Sequence, residues 1–200
     1  MPTKRPTTKP EQRAATIAKL IAVARAQFAE HGYAHAATEQ IVQLAGVTRG
    51  ALYHYFDSKE GLFRAVVSEI QGDLAQRIIS ATESISDPWQ QLLVGCRAFL
   101  SASLDRDIQR IGLLDGPAIL GWEAWRKLDA ENSMRLLESS IQQLAANGII
   151  APASVTAATH LLSGAMNEAV LWIAQAAEPQ QALDATIAVL EQLLTGLRQD

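Results

Sequence analysis

The stretch A-T-E-Q-I-V-Q-L-A-G-V-T-R-G-A-L-Y-H-Y-F-D-S-K, from Ala37 to Lys59, decides how this chain folds. It reads as two short helices joined by a tight turn, with another helix starting at its end. Thr38 is placed to cap the first helix by offering its hydroxyl oxygen to free backbone N–H groups. Ile41, Val42 and Leu44 supply the inner face of that helix. Ala45-Gly46-Val47 turns the chain, and Gly46 suits the left-handed conformation that ends helices. Thr48 is placed to cap the second helix. At about 100° per residue, Ala51, Leu52 and Tyr55 share one side of that helix, while Arg49, Gly50, Tyr53 and His54 fall in an arc on the other. A small helical domain needs only the first arc for its core. The second arc offers a cation, two amphipathic rings and one position without a side chain. That set meets the needs of a helix lying in a DNA major groove: donors for base edges and phosphates, and a glycine where a backbone comes close.

Asp57-Ser58-Lys59-Glu60 opens the next helix. Either Asp57 or Ser58 can cap it, and Asp57 with Glu60 has capping-box spacing. Lys59 falls in the first turn, where a cation opposes the helix dipole unless an anion sits beside it. A DNA phosphate would supply that anion; a solvated lysine is the alternative. The helix continues to about residue 80 on the apolar stripe Leu62, Phe63, Val66, Val67, Ile70, Leu74 and Ile78. Its front packs against the preceding helices and its back enters the second domain, so it is the mechanical connector. Upstream, Ile17, Leu20, Ile21, Ala24 and Phe28 place one apolar face over residues 11–31, and Gly32 stops that helix. Residues 1–10 carry Lys4, Arg5 and Lys9 among Thr and Pro. They form either a basic arm that reaches phosphates or a minor groove, or a solvated tail.

The run G-V-T-R-G-A-L-Y-H-Y-F-D-S-K-E, preceded by T-E-Q-I and F-A-E-H-G-Y, resembles the DNA-binding domain of TetR-type transcriptional repressors over residues 14–66. D-G-P-A-I-L-G-W, from Asp115 to Trp122, is similar to a segment in one regulator subgroup of that family. The resemblance implies an all-α fold of about nine helices. It implies a flexible arm over residues 1–10, a helix-turn-helix domain over 11–57, and a ligand-binding and dimerisation domain over 58–200 with 58–80 as connector. It also implies that Tyr33 packs back on the first helix, and that no cofactor is needed.

Composition fits this picture. Two hundred residues with 48% hydrophobic content allow a sizeable core. No apolar run reaches the ~18 residues of a membrane span. The polar, proline-punctuated start is unlike a signal peptide, and the single Cys96 excludes an internal disulfide framework. These features point to the cytoplasm. The net charge of −4 hides an asymmetry: residues 1–65 hold nine Lys/Arg and five Asp/Glu, and residues 66–200 hold eight and sixteen. A basic head on an acidic body fits a protein that brings one end to DNA, although so modest an imbalance also arises by chance.

Beyond residue 80, Ser84 to Pro88 is a break, and helices are expected over 88–103, 105–114, 121–147, 152–176 and 179–198. Asp115-Gly116-Pro117 is expected to end the second of these. The last two are apolar and rich in small residues. Leu161, Gly164, Ala165, Ala169, Ile187, Leu190 and Leu194 are expected at a two-fold homodimer interface, where both helices meet their copies as a four-helix bundle. Packing inside one protomer is the alternative.

Enzyme chemistry finds no support. His31, His35, His54 and His160 are scattered, and no phosphate-binding, nucleophile-elbow or zinc motif is present. Cys96 reads as a small buried hydrophobe. Trp89, Phe99, Trp122, Trp125, Met134, Met166 and Trp172 are either plain core or the frame of an apolar pocket. Cys96, Phe99, Leu100, Leu114, Trp122 and Trp125 are the candidate lining, with Asp115, His160 and Asn167 as polar anchors. Asp115 could instead cap the following helix, and His160 and Asn167 could instead line the dimer seam.

The sequence thus predicts a homodimeric repressor of a palindromic operator, released by an unknown small-molecule inducer. Arg49 is the base-reading candidate, because its fork matches guanine O6 and N7. Thr38, Thr48, Tyr53, His54 and Lys59 hold phosphates, and Gly50 permits close approach. By the resemblance, a ligand wedged between the helices over 88–103, 121–147 and 152–176 pushes the connector and separates the two heads. The rivals are a ligand-independent regulator or activator, and a helical carrier or enzyme with an interaction module.

Overall fold

The computed structural model describes residues 8–198, and these are helical almost throughout. Helix α1 spans Lys9–His35, with Thr8 as its N-cap in a reciprocal capping box with Glu11 and Pro10 in the first turn. Thr8, Lys9 and Pro10, expected in the arm, therefore start the first helix. Lys4 and Arg5 lie outside the described residues. Gly32 interrupts α1 at φ 74, ψ 164, a region open essentially to glycine alone. One more turn follows before the chain enters α2 (Thr38–Ala45) and α3 (Arg49–Phe56).

These three helices bury Leu20, Ala24, Phe28, Ile41, Ala45 and Leu52 completely. Leu44 faces out, contrary to expectation, because the face that α2 turns to the core carries Ile41, Val42 and Ala45. Tyr33 does pack back, its ring 4.9 Å from Phe63 and 5.8 Å from Phe28.

Helix α4 (Lys59–Thr82) buries all seven residues of its predicted stripe. Its cap is Ser58, whose Oγ accepts from the Gly61 N–H at 2.9 Å. Asp57 belongs instead to the end of α3, at φ 60. A Cβ on Gly61 would overlap the Phe56 carbonyl oxygen, so only glycine lets α4 start this close to α3.

The body follows as α5 (Pro88–Ser101), a short 3-10 turn, a π-helical segment (Ile108–Asp115), α6 (Gly116–Leu120), α7 (Trp122–Glu131), α8 (Ser133–Ala146), α9 (Val155–Gln175) and α10 (Pro179–Thr195). Two expectations need correction. Asp115-Gly116-Pro117 does not stop the chain, because Pro117 lies in the first turn of α6, where its missing N–H costs nothing; the break comes at Gly121, φ 79. The helix expected over 121–147 is two helices. Asn132 divides them: its side-chain amide donates to Leu128 O at 2.7 Å, and its own N–H turns to Asp129 O.

Head and body meet along α1, α4 and the π-helical segment. Arg25 of α1 reaches Asp73 of α4 at 2.5 Å and Asp107, just before the π segment, at 2.5 Å. Burial pushes the Asp107 carboxyl up, but the Asp105 side chain and Arg25 more than offset this and hold it below its ordinary value. Asp115 Oδ2 accepts from the Tyr33 backbone N–H at 3.0 Å, immediately after the Gly32 kink. Trp125 donates its ring N–H to Gly112 O and lies against Gly116, where a Cβ would crowd it. The D-G-P-A-I-L-G-W segment is therefore a joint between the two halves.

Candidate nucleic-acid interface and ligand cavity

The turn between α2 and α3 has Gly46 at φ 61, ψ 37, and the Val47 N–H closes it on Val42 O. Thr48 caps α3, its Oγ1 accepting from the Ala51 N–H at 3.2 Å. Thr38 does not cap α2: it is the first helical residue after Ala37, which makes no side-chain cap.

Arg49, Gly50 and His54 are exposed and Tyr53 is half-buried on the outer side of α3, while Leu52 is fully buried beneath. Among the described residues, a Cβ on Gly50 would meet nothing closer than Thr48 Oγ1 at 3.8 Å, so their packing does not require glycine there. Arg49 is 63% exposed. Its Nη1 donates to Glu39 of α2 at 2.7 Å, and its guanidinium lies 5.4 Å over the Tyr53 ring. The Tyr53 hydroxyl and Glu39 raise its already high pKa, so it is a permanent cation held at the surface. Glu39 was not singled out in the sequence; its place ten residues before Arg49 becomes informative only when α2 and α3 cross.

Lys59 is not a free cation. Its Nζ sits 4.5 Å over the Tyr33 ring and 3.5 Å from Ala34 O, and burial lowers its pKa. The stabilisation that the sequence assigned to a phosphate is available inside the protein.

In the body, a cavity of about 240 Å3 opens between α4, α5, α8 and α9. Ile78 and Thr82 of α4, Leu92, Cys96 and Phe99 of α5, Met134 and Leu137 of α8 and Met166 of α9 make most of its wall. Polar groups enter at Asp129, Ser133 and Ser163. Asp129 accepts from Arg126 and from Asn167 (3.4 Å), and Arg126 Nη1 also donates to Ser163 Oγ at 2.9 Å. Burial pushes the Asp129 carboxyl up, partly offset by Arg126 and Asn167. Burial also pushes the Cys96 thiol up to about 12, which keeps it protonated and unreactive.

Of the predicted lining, Cys96 and Phe99 reach this cavity, and Asn167 stands behind it on Asp129. The rest do not. Leu100 lines a separate groove between α9 and α10. Trp125 is buried on Gly112, Asp115 holds Tyr33, and Trp122 is 63% exposed against Trp125. Leu114 and His160 are exposed. The tryptophans suggested a frame because they are large, but Trp122 and Trp125 pair with each other, Trp89 lies under the Arg198 guanidinium and Trp172 is half open to solvent. Asp129, Ser133 and Ser163 gave no sequence signal, since each sits in a different helix.

The expected interface set also divides. Ile187, Leu190 and Leu194 are buried within the protomer, because α10 turns that side onto α5 and α9. Leu161, Gly164 and Ala165 are exposed and Ala169 half-buried. Trp172 at 54%, Val189 at 55% and Leu193 at 62% extend that apolar face.

Two family profiles match. Residues 20–66 fit the bacterial regulatory proteins of the tetR family, and residues 89–197 fit the tetracyclin repressor-like C-terminal domain. The chain belongs to the TetR family of bacterial regulatory proteins. A crystal structure of a TetR-family transcriptional regulator from Pectobacterium atrosepticum is 34% identical, with a TM-score of 0.82 over 97% of this chain and 99% of that one. The HTH-type transcriptional regulator BetI 2 of Chromohalobacter salexigens is 30% identical over 54% of this chain and 48% of its own length. The HTH-type transcriptional repressor AcnR of Corynebacterium diphtheriae is 42% identical over 53 residues, 26% of this chain and 28% of that protein. The chain thus spans about half the length of the first of these curated relatives and less of the second. As a member of the TetR family it is a helix-turn-helix transcriptional regulator. Among the described residues no helix is long and apolar enough to cross a membrane, and no group of three or more His, Cys, Asp or Glu could hold a metal ion.

Proposed function

We propose that the protein is a homodimeric repressor that grips a palindromic operator and is released by a small molecule. The observation that carries this reading is α4. Its front end is locked to α3 through Ser58 and Gly61, and its far end forms a cavity wall with Ile78, Ile79 and Thr82. A helix of 24 residues is about 36 Å long, so a small displacement at the cavity is delivered at the recognition helix. A ligand seated there acts on DNA affinity by its different fit to two positions of α4, with a coupling of ~1–3 kcal/mol typical of such switches. The functional division is a DNA-reading head over residues 11–57 and an effector and dimer body over 58–200.

Residues Arg49, Gly50, Tyr53 and His54 form the DNA-facing surface, with Arg49 reading a base and Thr38, Thr48 and Lys59 flanking it. Two copies joined through the exposed α9–α10 face present two such helices about one duplex turn, or a multiple of it, apart. Repeated selection of random duplexes on the purified protein tests this. The expected result is enrichment of an inverted repeat whose binding falls steeply with salt. Failure to retain any duplex at low salt would overturn the reading.

A further inference from the structure

Helix α8 begins at Ser133, whose hydroxyl lies in the cavity wall without a hydrogen-bond partner among the described residues. This serine is only 5% exposed. A buried hydroxyl left unbonded is a cost that a bound polar group removes. Asp129 and Ser163 line the same cavity. Arg126 and Asn167 both donate to Oδ2 of Asp129, and Ser163 Oγ accepts from Arg126, a bond that does not use the serine's own proton. The cavity therefore offers a hydroxyl at Ser133, a donor at Ser163 and an acceptor at Asp129.

The charge balance selects the guest. Arg126 already answers Asp129, so this part of the wall is electrically neutral. A cationic ligand adds an uncompensated charge in a poorly solvated site. An anionic ligand is favoured by the start of α8 but meets the Asp129 carboxylate beside it. A neutral hydroxyl group satisfies both demands: it donates to the carboxylate and accepts from a serine. The rest of the wall, from Leu92, Phe99, Met134 and Met166, wants an apolar body, and sulfur beside a ring edge favours an aromatic one. A volume of about 240 Å3 falls below the roughly 300–1,000 Å3 of drug-sized sites, so the guest is small.

We propose that Ser133, Ser163 and Asp129 form a subsite for the hydroxyl group of a small neutral aromatic alcohol or phenol, whose ring fills the cavity between α5, α8 and α9. This rests on the effector reading above and names its ligand class.

The test uses the full chain and four probes of nearly equal size: benzyl alcohol, ethylbenzene, benzylammonium and benzoate. Each is titrated by calorimetry, and Tm is measured at equal concentration. Benzyl alcohol should bind best and raise Tm most. Ser133→Ala should weaken benzyl alcohol by about five- to tenfold, the worth of one hydrogen bond, and leave ethylbenzene unchanged. The unliganded Tm should not fall, because this hydroxyl bonds nothing among the described residues. The proposal is overturned if benzoate or benzylammonium matches benzyl alcohol, if Ser133→Ala keeps the alcohol's advantage over ethylbenzene, or if no probe binds. Release of a selected duplex is followed in parallel. Tightest binding by benzoate with release of DNA sinks the ligand class and leaves the effector reading standing. Binding of benzyl alcohol without release does the reverse.

Discussion

The contact between Glu39 and Arg49 makes the sharpest demand on the DNA-binding reading. In the free protein Arg49 Nη1 is 2.7 Å from Glu39 Oε1, with the two side chains 63% and 66% exposed. To read a base, the guanidinium must leave or share this carboxylate. A pair so open to water is weak, so giving it up weakens binding by no more than about twofold to fivefold. The same carboxylate, one helix away from the Arg49–His54 face, repels nearby phosphates. Glu39→Gln removes both obstacles and should tighten binding to a selected duplex by about twofold to fivefold, most at low salt. Arg49→Ala should weaken the selected sequence by roughly ten- to a hundredfold and flatten preference at one base position, with little effect on unrelated duplexes. The double variant is decisive. If Glu39 acts mainly by restraining Arg49, the gain from Glu39→Gln shrinks once Arg49 is gone. Fluorescence anisotropy on all four proteins, at two salt concentrations, measures this cycle. Weaker binding by Glu39→Gln, or a loss from Arg49→Ala that is equal for every sequence, refutes the assignment of Arg49 as a base reader.

Two further outcomes follow from the body. Leu193 is exposed on the α9–α10 face, so Leu193→Glu should leave protomer stability nearly unchanged while light scattering reports a monomer and operator binding falls; a persistent dimer would place the interface elsewhere. The Arg25 cluster should be acid-sensitive. The Asp107 carboxyl is held below its ordinary value in the folded chain, so its contribution is present above the unfolded value of about 4 and is lost as pH falls through the folded value. Arg25→Gln should cost about 1–2 kcal/mol at neutral pH, and that gap should close in acid. Urea titrations across that range that show a constant gap would exclude the ion pairs as its cause.

Patterns that repeat within one helix were legible without coordinates. The stripe from Leu62 to Ile78 could be read because each residue's burial depends on its own helix turning one face inward. The Gly46 turn and the Thr48 cap were legible for a similar reason, since each is satisfied within a few residues. Thr38 was misread by one residue, since Ala37 is the N-cap and Thr38 the first helical residue. The other errors arose where a partner comes from far along the chain. Lys59 looked in need of a phosphate, yet Tyr33 and Ala34 sit beside it. Ile187, Leu190 and Leu194 looked unpartnered, yet α10 lays them on α5 and α9.

By itself, then, the sequence determined the helical class, the helix-turn-helix, the outward Arg49-Gly50-Tyr53-His54 arc and the long connector, all set by local periodicity and chain stops. Tertiary structure alone decided which helices share a wall. It brought Asp129, Ser133 and Ser163 together at the cavity, set Glu39 on Arg49, and made Asp115 the latch on Tyr33. The physical reason is that a side chain's surroundings depend on how neighbouring helices cross, and the spacing of residues along one helix does not encode that crossing.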